Sequence, residues 1–198
     1  PERLETLADV ERLLATSTNY EQKLPLDDLE RAFDLARMRA LLTSLGHPEL
    51  GPATIHVTGS KGKGSTCRMV ASILAAAGGG PVGLYVSPHL ESLVERVSVD
   101  DLPVEGPDLA RAASALLPWL RAHEGTALFP TFFELLTATA HVAFRAARVR
   151  SVVLEVGLGG RLDATTVCAP AVTAITSIEL EHVKLLGDTL AKIAREKA

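Results

Sequence analysis

Residues 53–66, Ala53-Thr54-Ile55-His56-Val57-Thr58-Gly59-Ser60-Lys61-Gly62-Lys63-Gly64-Ser65-Thr66, decide the fold. The first six are short, β-rich and apolar enough for a strand, the glycines break it, and a helical pattern runs from about Lys63 to Ala77 before Gly78 closes it. Strand, glycine loop and helix in that order let backbone N–H groups curl around an anion, and a loop lysine can reach the terminal phosphates of a nucleotide. A glycine-rich turn with a solvated lysine is the plainer reading. Two lysines among three glycines, followed by Ser65-Thr66, favour phosphate. The stretch departs from G-x-x-x-x-G-K-[ST], because Val57 stands at the first glycine position and Gly64 stands where a hydroxyl residue holds Mg²⁺. Ser65 comes one residue later, about 100° further round the helix, so a metal here needs other ligands.

Upstream, residues 4–17 and 27–45 carry helical periodicity, the second with Leu29, Phe33, Ala36, Ala40, Leu41 and Leu45 on one stripe and Gly46 as its cap. Downstream, Val82 to Val86 reads as a second strand, Ser87-Pro88-His89-Leu90 opens a loop, and Arg96 to Val99 alternates briefly. A helix near 108–117 starts after Pro107 and is ended or kinked by Pro118. Thr131-Phe132-Phe133-Glu134 has the spacing of a capping box, so a helix runs from there to about Ala147. Ser151 to Val156 is a continuous apolar strand leading to Gly157-Leu158-Gly159-Gly160, and another apolar strand lies at 171–175. Strands alternating with helices, and buried on both faces, predict an open, mostly parallel α/β sheet flanked by helices. Ligands bind such sheets outside the carboxyl ends of the strands, here the loops 59–65, 87–95, 157–166 and 176–187.

Glu155 is a lone carboxylate near the end of an apolar strand. Either alternation turns it outward, or it is a buried acid beside a glycine loop and a ligand for Mg²⁺. His182, just past the next strand in Glu179-Leu180-Glu181-His182, is a surface or packed histidine unless its loop belongs to the site. Ser87 by itself reads as a cap or turn serine before Pro88. The Gly157 loop fails the dinucleotide fingerprint: Leu162 occupies the third glycine position, and no helix opens.

Composition narrows the classes. Of 198 residues, 47% are apolar and 22% charged, with a formal net charge of −4, which fits a globular domain and gives no basic footprint for nucleic acid or an anionic membrane. The apolar run from Ala71 to Val86 is interrupted by Gly78-Gly79-Gly80-Pro81 and falls short of the ~20 residues that span a bilayer. The acidic start, Glu2 to Arg12, is unlike a signal peptide, and Cys67 and Cys168 lack the company of a disulfide framework or zinc site. A cytoplasmic protein is expected. Pro1 in place of a methionine, and a last helix running to Lys197-Ala198, read as the ends of a fragment.

Taken together, His56 to Thr66, Ser87-Pro88-His89-Leu90 with Glu95-Arg96, Glu155 to Thr165, and Ile175-Thr176-Ser177-Ile178 through His182, Leu186-Gly187 and Glu196-Lys197-Ala198 resemble the folylpolyglutamate synthase/dihydrofolate synthase family, a branch of the Mur-type ligases. Asn19-Tyr20-Glu21 and Arg37-Met38 extend the resemblance into the lead-in. It implies residues 1–50 as a helical lead-in and 51–198 as an incomplete P-loop ATPase domain of the Mur ligase central type, with a C-terminal glutamate-ligase domain absent from this chain. The implied activity is ATP- and Mg²⁺-dependent joining of L-glutamate to dihydropteroate or tetrahydrofolate through an acyl phosphate, by a monomer, with this fragment inactive alone.

By the same resemblance Gly59, Ser60, Lys61, Gly62, Lys63, Gly64, Ser65 and Thr66 bind ATP, and Lys63, Glu155, His182 and Lys197 serve catalysis. One Mg²⁺ would lie near Ser87 and Glu155, and a second near His182 and Glu155. Lys197 matches a lysine that becomes carbamylated to support the second metal; otherwise it is a solvated lysine on the last helix. Arg161, Asp163 and Ala164 match a pterin-binding loop of the bifunctional type; otherwise they form a turn with a local Arg–Asp pair. The chain departs from the family pattern at Ser60-Lys61, at Glu179 and Glu181, and at Thr166. A cell-wall Mur ligase and a nucleotide-binding module without catalysis are the alternatives, and Ser87-Pro88-His89-Leu90 with the Arg161–Ala164 loop favours folate over a muropeptide.

Overall fold

In the computed structural model, which describes residues 3–22 and 32–198, α1 (Leu7–Leu14) and α2 (Leu35–Ser44) precede β1 (Ala53–Thr58). There follow α3 (Lys63–Ala76), β2 (Val82–Tyr85), β3 (Val97–Val99), β4 (Leu102–Pro103), α4 (Gly106–Ser114), α5 (Leu117–His123) and α6 (Phe132–Ala146). Then come β5 (Ser151–Glu155), β6 (Val172–Ile175), α7 (Val183–Leu186) and α8 (Leu190–Lys197). The sheet order is β4-β3-β2-β5-β1-β6. β2, β5, β1 and β6 are parallel, and β3 and β4 add an antiparallel edge. This is the open, mostly parallel α/β sheet expected from the alternating pattern.

The sheet separates two cores. Tyr85, Val152 and Leu154 face α1, α2, α4 and α6 on one side, while Val57, Val82, Leu84 and Val153 face Cys67 and Ala71 of α3 on the other. Alternate residues of β5 therefore feed opposite faces, which is why its sequence is apolar throughout. The described lead-in helices contribute Val10, Leu14, Met38, Leu41 and Leu42 to the first core. Gly83 lets α6 approach β2: a Cβ there would lie 2.8 Å from the Phe144 ring.

Four local readings change. Of the helix expected over 27–45, α2 forms Leu35–Ser44 behind an Asp34 cap, and residues 27–31, Leu29 among them, lie outside the described residues. The helix expected over 4–17 is α1, opened at Thr6 by a capping box with Asp9. Pro118 sits in the first turn of α5 and starts a helix, because proline gives up an N–H that has no partner there. β6 is largely exposed and pairs with β1 alone, so it is an edge strand among the described residues. The capping box at Thr131–Glu134 is present as read.

Candidate active site

Where β1 ends, Gly59 takes φ +143, and a Cβ there would lie 1.9 Å from the Thr176 hydroxyl, so only glycine lets the loop pass the end of β6. α3 opens at Gly62 with no side-chain cap, leaving the first-turn amides directed at the loop. The Lys63 ammonium donates to the Gly59 carbonyl at 3.0 Å. The loop is zipped to the segment after β6: Ser60 N–H donates to Ser177 O (2.8 Å), Lys61 N–H to Ser177 Oγ (3.1 Å) and Thr176 Oγ1 to Lys61 O (2.7 Å). Glu179, one of the departures, pairs with Lys61, another, at 2.6 Å, and its N–H donates to Ser60 Oγ.

Glu155 is 5% exposed, so the outward alternative falls. Burial raises its carboxyl pKa, opposed by a 3.0 Å hydrogen bond from Ser87 N–H and by the charges of Lys63 and Arg68. The same carboxylate explains Gly64, where a Cβ would stand 3.2 Å from Glu155 Oε2. Glu155, which accepts from Ser87 N–H, thus stands against the position directly after the loop lysine. The donors, Glu155 carboxylate and Ser87 hydroxyl, are hard oxygens, and among the described residues no group of three or more His, Cys, Asp and Glu side chains is placed to hold a metal. One or two protein oxygens fit Mg²⁺, which keeps waters and takes phosphate oxygens instead of a full protein cage.

Lys197 is 5% exposed, and the solvated reading of it falls too. Its ammonium donates to Gly59 O at 3.0 Å and pairs with Glu181 at 2.7 Å. Two ammonium groups, from Lys63 and Lys197, therefore share one loop carbonyl. Burial works to raise the Glu181 carboxyl, but hydrogen bonds from Lys197 and Ser60 hold it below its ordinary value. His182 is exposed, sits at φ 43 and precedes α7.

A cavity of about 380 Å³ joins these elements, with Lys63, Ser87, His182, Leu158, Asp163 and Ala164 on its walls. Tyr20, Phe33 and Phe133 add aromatic faces. Asp163 is buried and accepts from the amides of Gly157 (3.1 Å), Leu158 (2.9 Å) and Thr165 (3.0 Å) and from the Thr165 hydroxyl. Burial raises its pKa and these donors oppose the rise. Arg161 turns away to Glu196 at 3.1 Å, so the local Arg–Asp pair does not form. Sequence reasoning assigned no role to Glu181, Thr165 or His56. Nor did it pair Arg96 with Glu21, although a guanidinium 2% exposed holds that acid at 2.7 Å and lies over the Phe132 ring. Arg96 and Glu21 lie far apart in sequence, and no spacing rule joins them.

A glycine loop between a parallel strand and an uncapped helix, with a buried acid at the end of the neighbouring strand, defines a P-loop-type α/β domain of the Mur ligase fold. No family model matches the chain. It is 40% identical over 166 residues to the dihydrofolate synthase/folylpolyglutamate synthase of Bacillus subtilis, covering 83% of this chain and 38% of that protein. The structure of Mycobacterium tuberculosis folylpolyglutamate synthase complexed with ADP superimposes with a TM-score of 0.83 at 36% identity, over 96% of this chain and 41% of that one. Escherichia coli FolC in complex with DHPP and ADP superimposes with a TM-score of 0.74 at 34% identity, over 97% and 43%. The chain belongs to the folylpolyglutamate synthase/dihydrofolate synthase family, and it spans about two fifths of the length of these relatives.

Proposed function

We propose that the chain is the nucleotide- and acceptor-binding part of an ATP-dependent ligase that joins L-glutamate to the carboxylate of dihydropteroate or a reduced folate. The observation that carries this is a cavity lined by the loop lysine Lys63, by Ser87 and His182, by the Asp163–Ala164 turn and by aromatic walls. A flat heterocycle fits the aromatic side, and its carboxylate then points towards the phosphate loop. The relatives bound to ADP and DHPP support both halves of this reading.

The loop amides of residues 59–65 and Lys63 hold the β- and γ-phosphates and stabilise charge as it develops. An acceptor carboxylate oxygen attacks the γ-phosphorus, the bond to the β,γ-bridging oxygen breaks, and ADP leaves with that electron pair. The resulting acyl phosphate is attacked by the glutamate amine, which loses a proton as phosphate departs and the amide forms. Mg²⁺, held by Glu155 and Ser87, would supply Lewis-acid neutralisation of the phosphate oxygens. A second ion would draw on His182 and on Lys197 as its carbamate. That change places an anion against Glu181, so the Glu181–Lys197 pair must open for it.

The reading includes a further domain, supplied by the longer protein, for glutamate. It also includes a monomer acting in the cytoplasm, where the thiols of Cys67 and Cys168 stay free. No helix among the described residues is long and apolar enough to cross a membrane. Isothermal titration tests the core of the proposal: these 198 residues should bind ATP with Mg²⁺, and Lys63→Ala should abolish the heat. No binding by folded protein overturns the loop assignment. Glutamate ligation by the 198 residues alone overturns the expectation that they are inactive without the remaining domain.

A further inference from the structure

His56 stands in the middle of β1, three residues before the phosphate loop, and is 8% exposed. Its Nε2 lies 2.7 Å from Thr165 Oγ1, and that hydroxyl contacts Asp163 Oδ1, whose other oxygen takes the Gly157 and Leu158 amides. Thr165 is wholly buried. Its hydroxyl has one proton, and three backbone N–H groups donate to Asp163 and favour its carboxylate form, which can only accept, so that proton goes to Asp163. The same oxygen then accepts from His56, which must carry its hydrogen on Nε2. Burial lowers the His56 pKa to about 4, so the ring is neutral near pH 7 and has a single N–H to give. The direction of the chain is fixed: imidazole N–H to hydroxyl, hydroxyl to carboxylate, each bond polarising the next.

We propose that His56 is a positioning residue for the acceptor: through Thr165 it holds the Asp163 carboxylate, and with it the 157–164 loop that walls the acceptor side of the cavity. The proposal rests on the acceptor reading above. Strand β1 then references both half-sites, its end carrying the phosphate loop and its middle anchoring the loop against which the heterocycle lies. A histidine that merely filled space would need no hydroxyl opposite and would place no constraint on its tautomer.

The test is made in the full-length protein. His56→Phe and Thr165→Val should each raise KM for dihydropteroate about tenfold, the effect of losing one buried hydrogen bond, while KM for ATP stays unchanged. His56→Gln, which keeps a donor near the Nε2 position, and Thr165→Ser, which keeps the hydroxyl, should restore most of that loss. His56→Phe/Thr165→Val should be no worse than Thr165→Val, since both remove one relay. Nitrogen-15 spectra of the unaltered protein should show His56 protonated at Nε2 and bare at Nδ1, a readout that stands even if His56→Phe fails to fold. An Nδ1–H tautomer, additive losses, or equal effects on the two KM values would overturn the positioning role. Absence of ATP and dihydropteroate binding in the unaltered protein would bring down the functional reading and this proposal with it. Binding of both, with acceptor KM unmoved by the substitutions, would overturn this proposal alone.

Discussion

At Gly64 the side chain that is missing matters as much as those present. A hydroxyl residue directly after the loop lysine usually serves Mg²⁺, and here a Cβ would press on Glu155 Oε2 at 3.2 Å. Gly64→Ala should therefore weaken Mg²⁺-dependent ATP binding about tenfold, roughly 1.4 kcal/mol, by displacing the carboxylate. Titrating ATP with and without Mg²⁺ checks the cause. A loss confined to the Mg²⁺ condition locates the damage at Glu155, whereas equal losses would mean that the Cβ distorts the loop backbone. The departure at Gly64 was legible in the sequence, as was Glu155 as the candidate that answers it. Their contact was not, because 91 residues separate them and only the β1–β5 pairing, with Val57 opposite Glu155, brings them side by side. Lys197 was legible only through family resemblance. Its burial depends on α8 folding back so closely that a Cβ at Gly160 would lie 3.0 Å from the Glu196 and Lys197 carbonyl oxygens.

At the scale of the element, α6 shows one acid serving two structures. Glu134 closes the capping box with Thr131 N–H at 2.7 Å, and it accepts from Arg37 Nε (2.7 Å) and Nη2 (2.9 Å) on α2. The box follows from local spacing and was legible. The ion pair spans 97 residues and joins two helices that no local pattern relates. Both groups are buried, so removing Glu134 takes the carboxylate from a buried guanidinium that also donates to Ala32 O at 2.9 Å. Glu134→Ala should cost about 3 kcal/mol or more in urea unfolding, from the loss of the two buried hydrogen bonds to Arg37 together with the lost cap. Glu134→Gln keeps an acceptor for the cap, and Arg37→Met/Glu134→Gln removes the charge as well. The double variant should recover most of the loss, whereas a double variant as unstable as Glu134→Ala, with the cap acceptor kept and the charge removed, would show that neither of these accounts for it.

For the molecule as a whole, the order of strands and loops could be read because each strand ends in its own distinctive residues. The pairing of one loop with another could not: Lys61, Glu179 and Glu181 are separate departures in the sequence and Lys197 a match, and they become ion pairs only when β6 lies parallel to β1 and α8 packs back on the loop. Global stability adds a constraint from two histidines that the fold buries uncharged. Burial lowers His56 and His141 to about 4, the latter only partly offset by Glu49. In the unfolded chain both titrate near 6.5. Between those values the unfolded state holds more protons, so stability is full above pH 6.5 and falls as pH drops towards 4. From pH 7 to 5 each histidine should cost about 2 kcal/mol. The buried acids Glu155 and Asp163 pull the other way, since their folded pKa values are raised and acid relieves their buried charge. Comparing the unaltered protein with His141→Leu cancels that opposing contribution, because His141 Nε2 has no hydrogen-bond partner among the described residues and its replacement breaks no bond there. The substitution should leave stability at pH 7 within about 1.5 kcal/mol, the usual cost of a volume-conserving core exchange. It should also reduce the loss between pH 7 and 5 by about 2 kcal/mol in urea titrations. Parallel pH slopes in the two proteins would mean that His141 is protonated as readily in the fold as out of it, and that burial on the α2–α6 side of the sheet does not exclude its charge.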